Sequence, residues 1–145
     1  MTGMRTQVAG SASGEPLLLD EPLSFWGGFD SATGAVIDRF HPQHGACLSG
    51  RILFMERGRG SSSGASVLAE AIRLGTAPAA ICLVHDDAII ATGALVAMML
   101  YGKQCPVVVI GDRGDWLALA GSARVTVKAE SAAAPSVTAA AAAGI

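Results

Sequence analysis

One run constrains this chain more than any other: Glu56-Arg57-Gly58-Arg59-Gly60-Ser61-Ser62-Ser63-Gly64. An apolar segment, Arg51-Ile52-Leu53-Phe54-Met55, leads into it and reads as a buried strand. An amphipathic segment over residues 65–74 leads out. Glycines and small hydroxyl residues at a strand-to-helix turn let backbone N–H groups come close to an anion. The same turn lies at the positive end of the helix dipole. In the helix, expected over Gly64–Leu74, Val67, Leu68, Ala71 and Ile72 form one apolar stripe, while Glu70 and Arg73 fall off it and face solvent. Gly75 is the expected C-terminal stop, and Ala80-Ile81-Cys82-Leu83-Val84 is a second strand. The result is a βαβ unit.

The cycle then repeats. His85-Asp86-Asp87 is a polar turn, residues 91–100 fit a second helix ending near Gly102, and Val107-Val108-Val109-Ile110 is a β-branched strand buried on both faces. A helical turn is expected over residues 116–119. Arg124-Val125-Thr126-Val127-Lys128 alternates as a half-exposed strand. Upstream of the loop, residues 7–19 suit short strands with turns. Leu23-Ser24-Phe25-Trp26-Gly27-Gly28-Phe29 and residues 35–39, joined by the turn Asp30-Ser31-Ala32-Thr33-Gly34, suit a hairpin. The expected fold class is α/β: a β-rich first half followed by a β-α-β-α-β half, in a compact β/β/α layer arrangement. Helices are too few to cover both faces of a large parallel sheet. Three parts are expected: a frayed lead over residues 1–6, one domain over 7–130, and an Ala-rich disordered tail over 131–145.

Composition narrows the function classes. Of 145 residues, 51% are hydrophobic and 15% charged, so one domain can bury a real core, and a surface this lean in charge suits partial cover by another chain. Ten Lys and Arg against twelve Asp and Glu, with no basic run, argue against nucleic acid binding. The longest apolar stretch, residues 88–101, is interrupted by Thr92 and Gly93 and is too short for a bilayer, and no signal-peptide pattern stands at the N-terminus. A cytoplasmic protein without membrane contact is expected. Cys47, Cys82 and Cys105 have no metal-ligand or disulfide spacing. Cys82 and Cys105 read as small core hydrophobes, while Cys47 lies in a more polar stretch near His41 and His44. No metal site is expected within the chain.

The loop itself excludes two nucleotide motifs. It has no lysine where a phosphate-binding G-x-x-x-x-G-K-[ST] loop needs one. A dinucleotide fingerprint fails too, because Ser63 stands where its third glycine belongs. A nest for a carboxylate or phosphate at the helix start fits the residues, and so does a plain capped turn with Ser61, Ser62 or Ser63 as the cap.

Further runs occur in one order along the chain: residues 23–30, then Asp38-Arg39 with His41-Pro42, then Gly58-Arg59-Gly60-Ser61-Ser62-Ser63, then Ala77-Pro78-Ala79-Ala80-Ile81 and Ala91-Thr92-Gly93-Ala94. Together they resemble the swivel domain, or small subunit, of the aconitase X family over residues 7–110. The resemblance implies a swivelling β/β/α domain that closes over a larger, separate subunit carrying iron or an iron-sulfur cluster. It implies hydro-lyase activity on a small carboxylate. Bacterial two-chain members are similar to cis-3-hydroxy-L-proline dehydratase, which yields Δ1-pyrroline-2-carboxylate, and archaeal members resemble phosphomevalonate dehydratase. The family's catalytic serine falls, by motif, on Ser61. Its implied role is the base that removes the proton α to the carboxylate, while the partner's iron takes the leaving hydroxyl.

A serine hydroxyl is a poor base near neutral pH, so its alkoxide needs N–H donors and positive charge. A helix N-terminus supplies ~0.3–1 kcal/mol, and up to ~2 when partly buried. Arg57 or Arg59 and a dry interface must supply the rest. Arg59, Gly60, Ser62 and Ser63 are the expected substrate-binding residues. For the arginines, a grip on the carboxylate and ordinary solvation both remain open, and Ser62 and Ser63 suit either caps or carboxylate donors. Phe25 and Trp26 read as core and His41 as a structural loop residue. The alternative from another class is a non-catalytic carboxylate-binding or assembly module.

Overall fold

The computed structural model describes residues 3–130 and 134–140. In chain order the elements are β1 (Met4–Val8), β2 (Gly10–Gly14), β3 (Pro16–Leu18), α1 (Phe25–Gly28), β4 (Phe29–Asp30), β5 (Ala35–Val36), β6 (Ile52–Phe54), α2 (Gly64–Leu74), β7 (Ala80–Leu83), α3 (Ala88–Tyr101), β8 (Val107–Ile110), α4 (Arg113–Ala120), β9 (Arg124–Ala129) and β10 (Ser136–Ala140).

The apolar runs dictate the centre. β6, β7 and β8 carry no solvent-facing position, so they must be covered on both sides. They pair in parallel in a five-stranded sheet of order β1-β8-β7-β6-β3, with β3 parallel to β6 and β1 antiparallel to β8. Leu53, Ile81, Leu83, Val107 and Val109 face the helical layer, where they meet Leu68, Ala71 and Ile72 of α2 and Ile90, Ala94 and Ala97 of α3. Their neighbours Ile52, Phe54, Cys82, Val108 and Ile110 face the other way, onto Val125, Val127 and Ala129 of β9 and Val137 of β10. That second layer is a three-stranded antiparallel sheet of order β10-β9-β2. Each fully buried aliphatic side chain adds ~1.5–3 kcal/mol of transfer free energy. The β/β/α architecture expected from sequence is the one observed.

Small residues set the spacing in the helical layer. Gly93 of α3 faces α2 so closely that a Cβ there would lie 2.7 Å from the Ala65 carbonyl oxygen. Both long helices end as the sequence indicates. Gly75 (φ 83°) and Gly102 (φ 65°) are left-handed caps, the first donating to the carbonyls of Ala71 and Ile72 and the second to that of Met98. α4 closes the opposite side. Its Trp116 is buried, donates Nε1–H to the Cys82 carbonyl at 3.0 Å, and meets Phe54 edge-on at 6.1 Å.

Several expectations need correction. Residues 4–6, expected in a frayed lead, belong to β1, which pairs along β8 with a bulge between Thr6 and Val8. Residues 23–29 do not form a strand. Trp26 and Gly27 leave helical geometry within the single turn α1, and only Phe29 and Asp30 pair, in the two-residue hairpin β4–β5. Within the expected disordered tail, residues 136–140 form β10, in register with β9 from Ser136↔Lys128 to Ala140↔Arg124. Val137 is pinned against the core, which gives the strand its reason to order. Residues 131–133 and 141–145 of that tail lie outside the described residues. α3 starts three residues earlier than expected, at Ala88, because the Asp87 carboxylate caps it. Asp112 does the same for α4, extending the expected turn to eight residues.

Candidate active site

β3, β6 and β7 lie side by side and parallel, so their C-terminal ends open on one edge of the sheet. Ligand sites of parallel sheets form there. The three following segments meet in a cleft of about 340 Å³ including its open mouth. Leu23 and Phe25 come from the segment after β3, Gly58 to Gly64 from the loop after β6, and Asp87, Ile89 and Ile90 from the start of α3.

The central loop is fastened on both sides. Arg59 donates its backbone N–H to the Leu23 carbonyl at 3.2 Å, and Gly58 donates its own to Asp87 Oδ2 at 2.9 Å. The other carboxylate oxygen, Oδ1, accepts from the N–H groups of Ile89 and Ile90 at 3.0 Å each. One side chain thus caps α3 and holds the neighbouring loop. Two glycines are required. A Cβ on Gly58 would sit 2.7 Å from Asp87 Oδ2, and Gly60 adopts φ +97° with its Cα side 2.6 Å from Ser24 Oγ for any added Cβ.

Ser61 lines the cleft, exposed, three residues before α2. Its hydroxyl oxygen accepts the Ser63 N–H at 3.0 Å, and its carbonyl accepts the Gly64 N–H at 3.0 Å. The Ser62 carbonyl accepts from Ala65 at 3.1 Å. The turn into α2 therefore gives the Ser61 hydroxyl oxygen one donor, near the positive end of the α2 dipole. Ser63 occupies the N-cap position, yet its side chain makes no cap bond. Of the serines expected as caps, Ser61 is the one whose hydroxyl accepts a backbone N–H here, that of the N-cap residue Ser63.

The arginines keep both expected readings open. Arg59 turns to Glu21, with Nη2 3.7 Å from Oε1 across a half-exposed pair, rather than to Ser61. Such a pair is worth ~0–1 kcal/mol, little enough for an arriving anion to displace. Arg57 is exposed on the same loop. Glu56, at the loop's start, is held by Arg113 of α4 with Nε 2.8 Å from Oε1. Phe25 is buried and packs edge-on against Phe29 at 5.2 Å, as expected for core. Trp26 is 59% exposed, so its core assignment fails: the irregular turn points it outward. His41 is buried, its Nε2 against the Glu21 carbonyl at 2.9 Å and its Nδ1 accepting the Gln43 N–H at 3.0 Å, a structural role.

Sequence reasoning left Asp87 in a polar turn and Ser24 in one arm of the expected hairpin. Asp87 carried a usable signal, an Asp directly before an apolar helix, which is the pattern of an N-cap. Ser24 carried none, because its place beside Gly60 depends on tertiary contact.

The chain's own donors do not fit an iron centre. Among the described residues no three His, Cys, Asp or Glu side chains converge. The buried thiols of Cys82 and Cys105 are pushed up to about 12 by burial and stay protonated. Cys47 is exposed, and its thiol is lowered mainly by the Ser49 side-chain hydroxyl, but it stands apart from the other two.

The fold and cleft define a β/β/α module that presents a Gly- and Ser-rich loop at one sheet edge. The chain belongs to the aconitase X swivel-domain family, whose model matches residues 2–134. It is 54% identical over 114 residues to cis-3-hydroxy-L-proline dehydratase of Pseudomonas aeruginosa, covering 79% of this chain but 20% of that protein. It is 46% identical over 88 residues to the phosphomevalonate dehydratase small subunit of Methanothermobacter thermautotrophicus, covering 61% of this chain and 67% of that subunit. The structure resembles Thermococcus kodakaraensis aconitase X in its holo-form, with a TM-score of 0.76 at 29% identity over 95% of this chain and 96% of that one. Against the P. aeruginosa enzyme, the chain thus spans about one fifth of the relative's length.

Proposed function

We propose that this chain is the small, swivelling subunit of an aconitase X-type hydro-lyase. Ser61 is its base, and cis-3-hydroxy-L-proline is the substrate. The carrying observation is the placement of Ser61 in the lining of a cleft built by three parallel-strand ends, its Oγ already accepting the Ser63 N–H in the turn into α2. That donor and the helix dipole favour an alkoxide over a hydroxyl.

In the reaction, Ser61 takes the proton α to the substrate carboxylate. The C–H electron pair becomes a double bond to the adjacent carbon, whose hydroxyl departs. With the proton that Ser61 took and then releases, the net loss is one water, and the enamine so formed tautomerises to Δ1-pyrroline-2-carboxylate. The carboxylate lies against Arg59, Gly60, Ser62 and Ser63, with Arg59 leaving Glu21 to meet it. The iron centre that the family implies belongs to a large subunit, since this chain's donors do not fit one. That subunit also closes the cleft and excludes water, which strengthens each of these contacts. The naming of several relatives as small subunits supports such a partner.

The substrate choice follows the 54% identity to the hydroxyproline enzyme over the 46% identity to the phosphomevalonate enzyme. The test is to assay the chain alone, the large subunit alone and the two together on both substrates. Turnover of cis-3-hydroxy-L-proline to Δ1-pyrroline-2-carboxylate by the pair alone is the expected result. Phosphomevalonate turnover instead would reassign the substrate, and no turnover of either by the pair would leave a carboxylate-binding module.

A further inference from the structure

We infer that Asp87 is a positioning residue for turnover, acting through Gly58 on the loop that carries Ser61. The inference rests on the reading of that loop as catalytic. Asp87 does two separable things with its two carboxylate oxygens. Oδ1 caps α3 through Ile89 and Ile90, and Oδ2 holds the Gly58 N–H at 2.9 Å, across 29 residues of sequence. The α3 cap needs only one acceptor, which Ser or Asn supplies as well as Asp. The second oxygen is therefore surplus to the helix, and its partner lies three residues before Ser61.

The fit around that contact is tight. Any Cβ on Gly58 would meet Oδ2 at 2.7 Å and Ile90 Cδ1 at 2.9 Å, so loop and carboxylate are matched in shape as well as in hydrogen bonding. The backbone N–H of Asp87 is itself held by Gln7 Oε1 at 3.3 Å, which ties the clamp to β1. Between Gly58 and Ser61 the chain passes only through Arg59, fixed to the Leu23 carbonyl, and Gly60 in its left-handed conformation. Releasing Gly58 frees one of the two points that aim Ser61. A misplacement of about 1 Å at a reacting group costs about 10²-fold in rate.

The experiment measures kcat and KM of the assembled two-subunit enzyme carrying Asp87→Ser or Asp87→Asn. Both variants keep an α3 cap. Ser lacks a second acceptor, and Asn turns an N–H₂ toward the Gly58 N–H. The expected result is a fall in kcat of about 10–100-fold with KM changed less than about threefold and the melting temperature of the complex held within a few degrees. Gly58→Ala, which crowds the same contact from the other side, is expected to lower kcat similarly. Combined with Asp87→Ser it is expected to cost less than the two losses multiplied, because the crowded oxygen is gone. Wild-type kcat in the Asp87 variants would overturn the inference, and so would failure of both to assemble, which would make Asp87 a folding residue. If Asp87→Ser loses turnover while Ser61→Ala keeps it, the clamp stands and the Ser61 assignment falls. The reverse pattern removes the clamp and leaves Ser61 in place.

Discussion

The Ser61 hydroxyl oxygen accepts the Ser63 backbone N–H at 3.0 Å, in the turn that leads into α2. The same atom thus closes the turn into α2 and is the acceptor offered to the cleft. Ser63, at the N-cap position itself, makes no such bond with its side chain. Ser61→Ala should therefore cost about 0.5–2 kcal/mol of stability, and Ser63→Ala no more than about 0.5. Urea unfolding of both variants checks the order. A larger loss for Ser63→Ala would contradict the assigned roles.

Gly60→Ala should destabilise the chain by about 1–3 kcal/mol, because Gly60 has φ +97° and an added Cβ would lie 2.6 Å from Ser24 Oγ. A second change, Ser24→Gly, removes the crowding but not the backbone strain, so it should recover only part of the loss. Full recovery in the denaturation midpoint would show that the positive φ is not costly.

Gly93 sets how closely α3 approaches α2. Since the atom that a Cβ would meet at 2.7 Å is the Ala65 backbone carbonyl, no side-chain movement can relieve it. Gly93→Ala is expected to cost about 1–3 kcal/mol and to lower turnover as well, because α2 begins at the loop that carries Ser61. Unchanged stability by urea unfolding would rule out the close approach.

The cysteines should differ sharply in reactivity. With Cys82 and Cys105 raised to about 12 by burial, about one thiol in ten thousand is ionised at pH 8, and neither is reachable. Native protein treated with iodoacetamide should gain one adduct, on the exposed Cys47, and denatured protein three. In the native state the two buried thiols keep protons that the unfolded chain releases from near their ordinary 9.0 upward. Stability should therefore fall as pH rises from about 9 toward 12. Intact-mass spectra and a urea series across that range check both statements.

Sequence was most legible where local chemistry and burial agree. The β6–α2–β7 unit reads directly from an apolar run, a Gly and Ser loop and a single stripe, and Gly64–Leu74 has the expected bounds. It was least legible at the edges. β1 carries Arg5 and Gln7 on an edge that faces solvent on one side, so its alternation is weak and its order comes from pairing with β8. β10 is Ala-rich and gains order from one buried residue, Val137. At the site, Ser61 could be located through motif and turn chemistry. The Gly58–Asp87 contact could not, because it joins loops after two different strands. Trp26 was misjudged because a double glycine lets the backbone turn its ring out of the core.

The most direct test of the central claim is turnover of cis-3-hydroxy-L-proline by Ser61→Ala assembled with the large subunit. The account predicts an intact complex and a fall in kcat of about 10²–10⁴-fold, the range for loss of a general base. Near wild-type kcat in that assembled variant would contradict it.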